Sequence, residues 1–256
     1  MPTSPNAFVW YELMTTDPDS AEAFYRAVVG WGAQDAGQGG MHYTLLTADD
    51  RPVAGLMGLP QEACAAGARP GWVGYIGVDD VDAAADGIRQ ADGAVRREPD
   101  DIPGVGRFAV VADPQGATFM LFKPMGASFP LAPAGTPGHV GWRELYAADG
   151  ARAFDFYAGQ FGWTKADALD MGPMGVYQLF AAGGDAIGGM MTKPDAIPVP
   201  IWLFYFNVPA IEAAAARVAE HGGRVLHGPL QVPGGSWIVQ AQDPQGVIFA
   251  LVAPQR

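Results

Sequence analysis

The sequence predicts an α+β protein built from four βαβββ units in two tandem modules, and two observations carry that reading. The chain repeats itself at nearly constant offsets, and each repeat runs twice through an apolar strand, a helix and shorter β-rich pieces. Phe8 to Trp31 lies over Val140 to Trp163, matching Trp10 with Trp142, Glu12 with Glu144, Phe24-Tyr25 with Phe156-Tyr157 and Gly30-Trp31 with Gly162-Trp163, all 132 residues apart. Trp72 to Pro124 lies over Trp202 to Pro254 at 130 residues, pairing Tyr75 with Tyr205 and the turn Asp113-Pro-Gln-Gly116 with Asp243-Pro-Gln-Gly246.

The elements follow in order. Phe8 to Thr15 is an apolar strand, and the helix after it opens with Asp17 as cap and Pro18 in its first turn. Ala21, Phe24, Tyr25 and Val28 recur at helical spacing, and Gly30 ends the helix. The strands Trp72 to Val78, Val140 to Tyr146 and Trp202 to Val208 lead into helices that begin near Asp80, Asp149 and Ala210. Ala213 to Ala216 gives the last helix strong intrinsic propensity. Further strands are expected at His42 to Thr47, Phe108 to Ala112 and Ala117 to Phe122, the last two joined by the Asp-Pro-Gln-Gly turn. Phe24-Tyr25, Phe156-Tyr157, Trp31 and Trp163 read as core packing. The modules span 5–125 and 138–254, with halves over 6–59, 72–124, 138–192 and 201–254. Segments rich in Gly, Ala and Pro at 60–71, 126–137 and 193–200 read as linkers.

Composition narrows the function. At 49% hydrophobic and 16% charged, the 256 residues suit a packed globular protein. A net charge of -12, from 27 acids and 15 bases, speaks against nucleic acid. The N-terminus lacks a signal-peptide pattern and the apolar run Ile201 to Phe206 is too short to span a bilayer, so a soluble, cytoplasmic protein is expected. The single cysteine, Cys64, excludes an intrachain disulfide and receives no role. His42, His139, His221 and His227 share no ligand spacing. Gly37-Gln-Gly39-Gly40 does not link a strand to a helix as a phosphate loop would. Ser4, Ser20, Ser128 and Ser236 lack an evident His partner.

The strand running into Asp-Pro-x-x-Ala-x-x-Phe-Tyr-x-x-x-x-Gly-Trp, the Val-Asp-Asp-Val-Asp-Ala segment and the Asp-Pro-x-Gly turn resemble the vicinal oxygen chelate superfamily. That superfamily holds glyoxalases, extradiol dioxygenases, fosfomycin-resistance enzymes and bleomycin-resistance proteins. The resemblance covers nearly the whole chain twice, and is greatest to two-module bacterial glyoxalase-like proteins. It implies mixed sheets that curl into cups, with helices outside and the ligand in the concavity. It also implies a metal held by His or Gln on first strands and Glu on last strands. Those positions fall here on Trp10, Trp142, Val73 or Leu203, Met120 and Ala250. None of these side chains suits a hard divalent ion, so no metal or other cofactor is expected, and a divalent metal at unusual ligands is the alternative.

Because residues two apart on a strand share a face, a cup that contains Trp10 also contains Glu12 and Met14, and one that contains Trp142 contains Glu144 and Tyr146. Tyr75, Met120 and Phe122 join the first lining, and Tyr205 and Asn207 the second. Such aromatic, sulfur-rich linings suit a flat or apolar organic molecule. Glu12 and Glu144 are the candidate proton-moving groups, since burial among rings raises a carboxyl pKa. The competing reading has each Glu bond a loop amide or an Arg and serve structure alone. Two functions stay open: a metal-independent lyase, isomerase or hydrolase, and a non-catalytic binder that sequesters an aromatic or bulky compound. Monomer and homodimer are both open.

Overall fold

The computed structural model describes residues 6–37, 42–126 and 132–256. Ser4, Ser128, Gly39-Gly40 and the middle of the 126–137 linker lie outside the described residues. The first βαβββ segment runs β1 (Phe8–Thr15), α1 (Pro18–Val29), β2 (Gly32–Asp35), β3 (Tyr43–Ala48) and β4 (Arg51–Gly58). After the short helix α2 (Gln61–Ala65) come β5 (Gly71–Gly77), α3 (Val81–Gln90), β6 (Ala94–Ile102), β7 (Gly106–Ala112) and β8 (Thr118–Pro124). The second repeat gives β9 (Val140–Ala147), α4 (Gly150–Phe161), β10 (Thr164–Asp170), β11 (Val176–Ala181) and β12 (Ala186–Thr192). It ends with β13 (Ile201–Asn207), α5 (Ile211–Glu220), β14 (Arg224–Gln231), β15 (Trp237–Gln242) and β16 (Ile248–Ala253). The βαβββ order therefore holds four times. The segment read as a linker over Pro60 to Gly71 differs, because it contains α2, a five-residue helix that buries nothing.

Local chemistry explains the helix ends. Asp17, Asp80 and Asp149 each accept a hydrogen bond from the backbone N–H three residues on, at 3.0–3.1 Å. Helix α5 starts at Ala210 without such a cap and rests on its alanine run and the buried Ile211, Ala214 and Val218. Gly30 and Gly162 close α1 and α4 at φ 91° and 69°, a left-handed conformation that a Cβ disfavours.

The strands form two eight-stranded mixed sheets, ordered β2-β3-β4-β1-β5-β8-β7-β6 and β10-β11-β12-β9-β13-β16-β15-β14. The pairs β1–β4, β5–β8, β9–β12 and β13–β16 are parallel, and hairpins supply antiparallel pairs such as β7–β8 and β15–β16. Among the described residues no helix is long and apolar enough to cross a membrane.

Contacts divide the chain into two compact units that each draw on both repeats. One holds the described parts of Met1–Val9, Gly74–Leu131 and Arg143–Trp202; the other holds Trp10–Val73, Ala132–Trp142 and Leu203–Arg256. We call them the first and second units. In the second unit the Tyr25 hydroxyl of α1 donates to Asp243 Oδ2 at 3.1 Å and accepts from Trp72 Nε1 at 2.9 Å. The other Asp243 oxygen accepts the N–H groups of Gln245 and Val247 at 2.9 and 2.8 Å, which fixes the Asp-Pro-Gln-Gly turn. The first unit repeats the arrangement: Tyr157 donates to Asp113 at 3.3 Å and accepts from Trp202 at 3.0 Å, and Asp113 holds the N–H groups of Gln115 and Ala117.

Aromatic packing surrounds both chains. Trp163 stacks on Tyr157 at 5.2 Å and on Phe180 at 4.6 Å, while Trp72 and Phe249 each meet Tyr25 edge-on at 5.2 Å. The indole N–H of Trp31 reaches Gly138 O at 2.8 Å and that of Trp163 reaches Asn6 O at 2.6 Å. The expected core roles of these tyrosines and tryptophans are present, with a polar function added. One difference separates the copies: Gln115 exchanges two hydrogen bonds with the Asp149 backbone, whereas Gln245 Oε1 is buried without a partner among the described residues.

Burial raises the Asp113 and Asp243 carboxyls, against the opposing pull of their turn N–H groups. It raises the Tyr25 and Tyr157 phenols further, and the adjacent carboxylate charge adds to the effect. Wherever the folded pKa exceeds the unfolded one, the native state holds more protons, so stability falls as pH rises through that window. For the two Asp groups the fall begins near about pH 4, and for the two Tyr groups near about pH 10. In a near-ultraviolet titration, Tyr25 and Tyr157 should resist ionisation until the chain unfolds. Tyr25→Phe and Tyr157→Phe should each remove one late-ionising phenol and cost about 1–3 kcal/mol in urea unfolding, by leaving a buried carboxylate and indole without their partner.

Candidate functional site

On β1, Tyr11, Leu13 and Thr15 are buried on one face, and Trp10, Glu12 and Met14 occupy the other. Glu12 is 4% exposed, and Trp10 and Met14 are half-buried. The Tyr43 hydroxyl of β3 donates to Glu12 Oε2 at 2.9 Å and accepts from Trp10 Nε1 at 3.3 Å. Strand β4 lies between β3 and β1, and Gly55, in register with Glu12, is what lets the phenol cross it. A Cβ on Gly55 would overlap the Tyr43 hydroxyl. Burial, and then the Glu12 charge, push the Tyr43 phenol far above its usual range, so it stays a hydrogen-bond donor.

The first unit builds a matching frame. Gly189 of β12 is in register with Glu144 of β9, and a Cβ there would overlap the Tyr177 ring. Glu144 is 7% exposed and Tyr146 half-buried beside it. Tyr75 is in register with Met120, and its ring meets Phe122 edge-on at 5.8 Å. In the second unit, Tyr205 of β13 accepts from Gln240 Nε2 at 2.8 Å. Asn207 lies against Gly141, where a Cβ would overlap its carboxamide, and Trp142 is half-buried on the same strand as Gly141.

The structure thus brings Trp10 and Glu12 together in the second unit, and Tyr75, Met120 and Phe122 together in the first. It adds Tyr43, Gly55, Tyr177, Gly189 and Gln240, which the sequence reading did not single out. A signal existed for four of them, since Tyr43 with Tyr177 and Gly55 with Gly189 both stand 134 residues apart.

The six positions where the resemblance implies metal ligands carry two indoles, one thioether and three aliphatic side chains. Val73, Leu203, Met120 and Ala250 are buried. This set does not fit a hard or borderline divalent ion. Among the described residues no group of three or more His, Cys, Asp or Glu could hold a metal.

A model of the Glyoxalase/Bleomycin resistance protein/Dioxygenase superfamily matches residues 7–121 and again 136–251. The chain belongs to that superfamily. Among superfamily relatives, "Putative glyoxylase CFP32" of Mycobacterium tuberculosis is 33% identical over 251 residues, covering 96% of this chain and 94% of that one. The anthracycline biosynthesis protein DnrV of Streptomyces peucetius is 31% identical over 268 residues, covering 97% and 94%. In fold, the chain is similar to the Mn(II)-bound glyoxalase from Novosphingobium aromaticivorans, with TM-score 0.68, 18% identity and coverage of 99% and 83%. It is also similar to 2,2',3-trihydroxybiphenyl 1,2-dioxygenase from Sphingomonas wittichii, with TM-score 0.67, 16% identity and coverage of 98% and 90%.

The Gly55 crossing yields a direct check. Gly55→Ala should displace the Tyr43 phenol from Glu12, lower the pH at which Tyr43 ionises, and cost about 1–3 kcal/mol of stability. A tyrosine titration identical to wild type would show that the strand accommodates the methyl without moving the ring.

Proposed function

We propose that this superfamily member binds a small organic molecule, aromatic or otherwise apolar, against the face that carries Trp10, Glu12 and Met14 and against its repeat at Glu144 and Tyr146. Glu12 and Glu144 move a proton in a metal-independent lyase, isomerase or hydrolase reaction. The observation that carries this reading is the Glu12 carboxylate, almost wholly buried yet held by a tyrosine hydroxyl that is itself fixed by a half-buried indole.

The chemistry follows from that chain. Tyr43 donates to one Glu12 oxygen and so sets the plane of the carboxylate, while aromatic neighbours keep bulk water from competing for it. Trp10 and Met14 offer an indole face and a thioether for a flat ring. The non-ligating side chains at the superfamily's metal positions support proton transfer without a metal, and the cytoplasm is the setting we assign. That DnrV is named for anthracycline biosynthesis agrees with a ligand of fused rings.

Flat aromatic compounds screened by tryptophan fluorescence should include at least one that quenches the wild type. For a compound that is also turned over, Glu12→Gln with Glu144→Gln should lower turnover by about 10²–10⁴-fold while binding is retained. Unchanged turnover with lowered thermal stability would make the carboxylates structural, and binding without turnover by the wild type would make the protein a sequestering binder. Protein purified without chelator should carry only substoichiometric metal; stoichiometric Mn, Fe, Ni or Zn would overturn the metal-independent part.

A further inference from the structure

The two copies of the repeat fill one place on their sheets in opposite ways. In the first unit Gly77 of β5 has no side chain, and the isopropyl group of Val9 on β1 stands 2.8 Å from where its Cβ would be. The equivalent residues of the second unit are Asn207 of β13 and Gly141 of β9, 130 and 132 residues further on. There the glycine is on the other strand, and a Cβ on Gly141 would overlap the Asn207 carboxamide. An isopropyl group closes the gap in one copy and a carboxamide in the other, so packing alone does not call for an amide at this place.

Asn207 is 7% exposed. Its backbone is engaged on both sides, the N–H donating to His139 O at 2.9 Å and the C=O accepting from Gly138 N–H at 2.8 Å. Its carboxamide has no hydrogen-bond partner among the described residues. A buried amide in that state costs free energy until a polar group from outside satisfies it. The side chain shares the face of Tyr205, two residues away, opposite the face on which Phe204 meets Tyr11 and Phe206 meets Trp31 and Trp72. Val252 is in register with Asn207, and Ile238 with Val252, and both aliphatic side chains are half-buried. The first unit has Gly77, Phe122 and Phe108 in this row. A tyrosine, Tyr75 or Tyr205, stands in the adjoining row of both units, so the carboxamide and not the phenol is what sets this row of the second unit apart.

One polar group set among half-buried apolar side chains is an arrangement that orients a mostly apolar ligand. Oδ1 is the Asn207 polar atom nearer to Gly141, which leaves the amide N–H groups to meet a ligand oxygen. We propose that Asn207 is the polar anchor of the second unit: its carboxamide donates a hydrogen bond to the carbonyl oxygen of a flat ring ketone and selects that ligand over the hydrocarbon of the same shape. A buried donor penalises the analogue that lacks an acceptor for it, because the donor then stays unpaired. Gly77 gives the first unit no such donor. This inference rests on the reading of the second unit as ligand-binding.

The test is equilibrium dialysis of the full chain with 9-fluorenone and with fluorene, which differ by a ring carbonyl in place of a methylene. The wild type is expected to prefer 9-fluorenone. Asn207→Leu, which keeps the size and removes the amide, should weaken 9-fluorenone about fivefold or more, leave fluorene unchanged or tighter, and leave thermal stability unchanged or raised. Should that variant fail to fold, Asn207→Gly, which copies Gly77, is expected to show the same selective loss. Equal binding of the two compounds by the wild type, or a folded variant that keeps the wild-type preference or loses both compounds in proportion, overturns the proposal and leaves the ligand-binding reading standing. Failure of the wild type to bind either compound overturns that reading, and the proposal with it.

Discussion

A wholly buried tyrosine hydroxyl has to give and receive its hydrogen bonds inside the protein, and here its partners come from distant parts of the chain. Tyr25 receives from Trp72 and gives to Asp243, which lies 218 residues further along. Tyr157 receives from Trp202 and gives to Asp113, which precedes it by 44 residues. Each compact unit is thereby tied at its centre by a bond between the first half of one repeat and the second half of the other. The same Asp holds its own Asp-Pro-Gln-Gly turn, so turn, helix and strand are fixed by one carboxylate.

The candidate site uses the same device in a more open place. Trp10, Tyr43 and Glu12 form a second indole–phenol–carboxylate chain, with the indole half-buried and the carboxylate on the face away from Tyr11, Leu13 and Thr15. In the buried chains the acceptor is engaged by two turn N–H groups and serves structure. In the Glu12 chain it accepts from a tyrosine hydroxyl on the strand face it shares with Trp10 and Met14. The same indole–phenol–carboxylate order thus recurs at the centre of each unit and on the strand face where we propose that a ligand binds.

Much of the fold was legible. Offsets of 132 and 130 located the repeats, and capping Asp17, Asp80 and Asp149 marked where α1, α3 and α4 begin. Strand alternation put Glu12 on the face of Trp10 and Met14. Two things were not legible. Tyr25 reads as helix-face packing because its spacing is that of an apolar position, and nothing local reveals an acceptor 218 residues away. Tyr43 and Gly55 look like an ordinary strand residue and an ordinary glycine until β3, β4 and β1 are set side by side and the phenol is seen to need the missing Cβ. Pro60 to Gly71 has linker composition, yet its Gln-Glu-Ala-Cys-Ala stretch has enough helix propensity for one short turn.

The claim on which the account turns is that the Tyr25–Asp243 bond couples the two repeats within the second unit. A double-mutant cycle of Tyr25→Phe and Asp243→Asn, followed by urea unfolding at neutral pH, measures it directly. The account predicts a coupling energy of about 1 kcal/mol or more, with the double variant much less destabilised than the sum of the single ones. Strictly additive effects would contradict it and reduce Tyr25 to an aromatic filler.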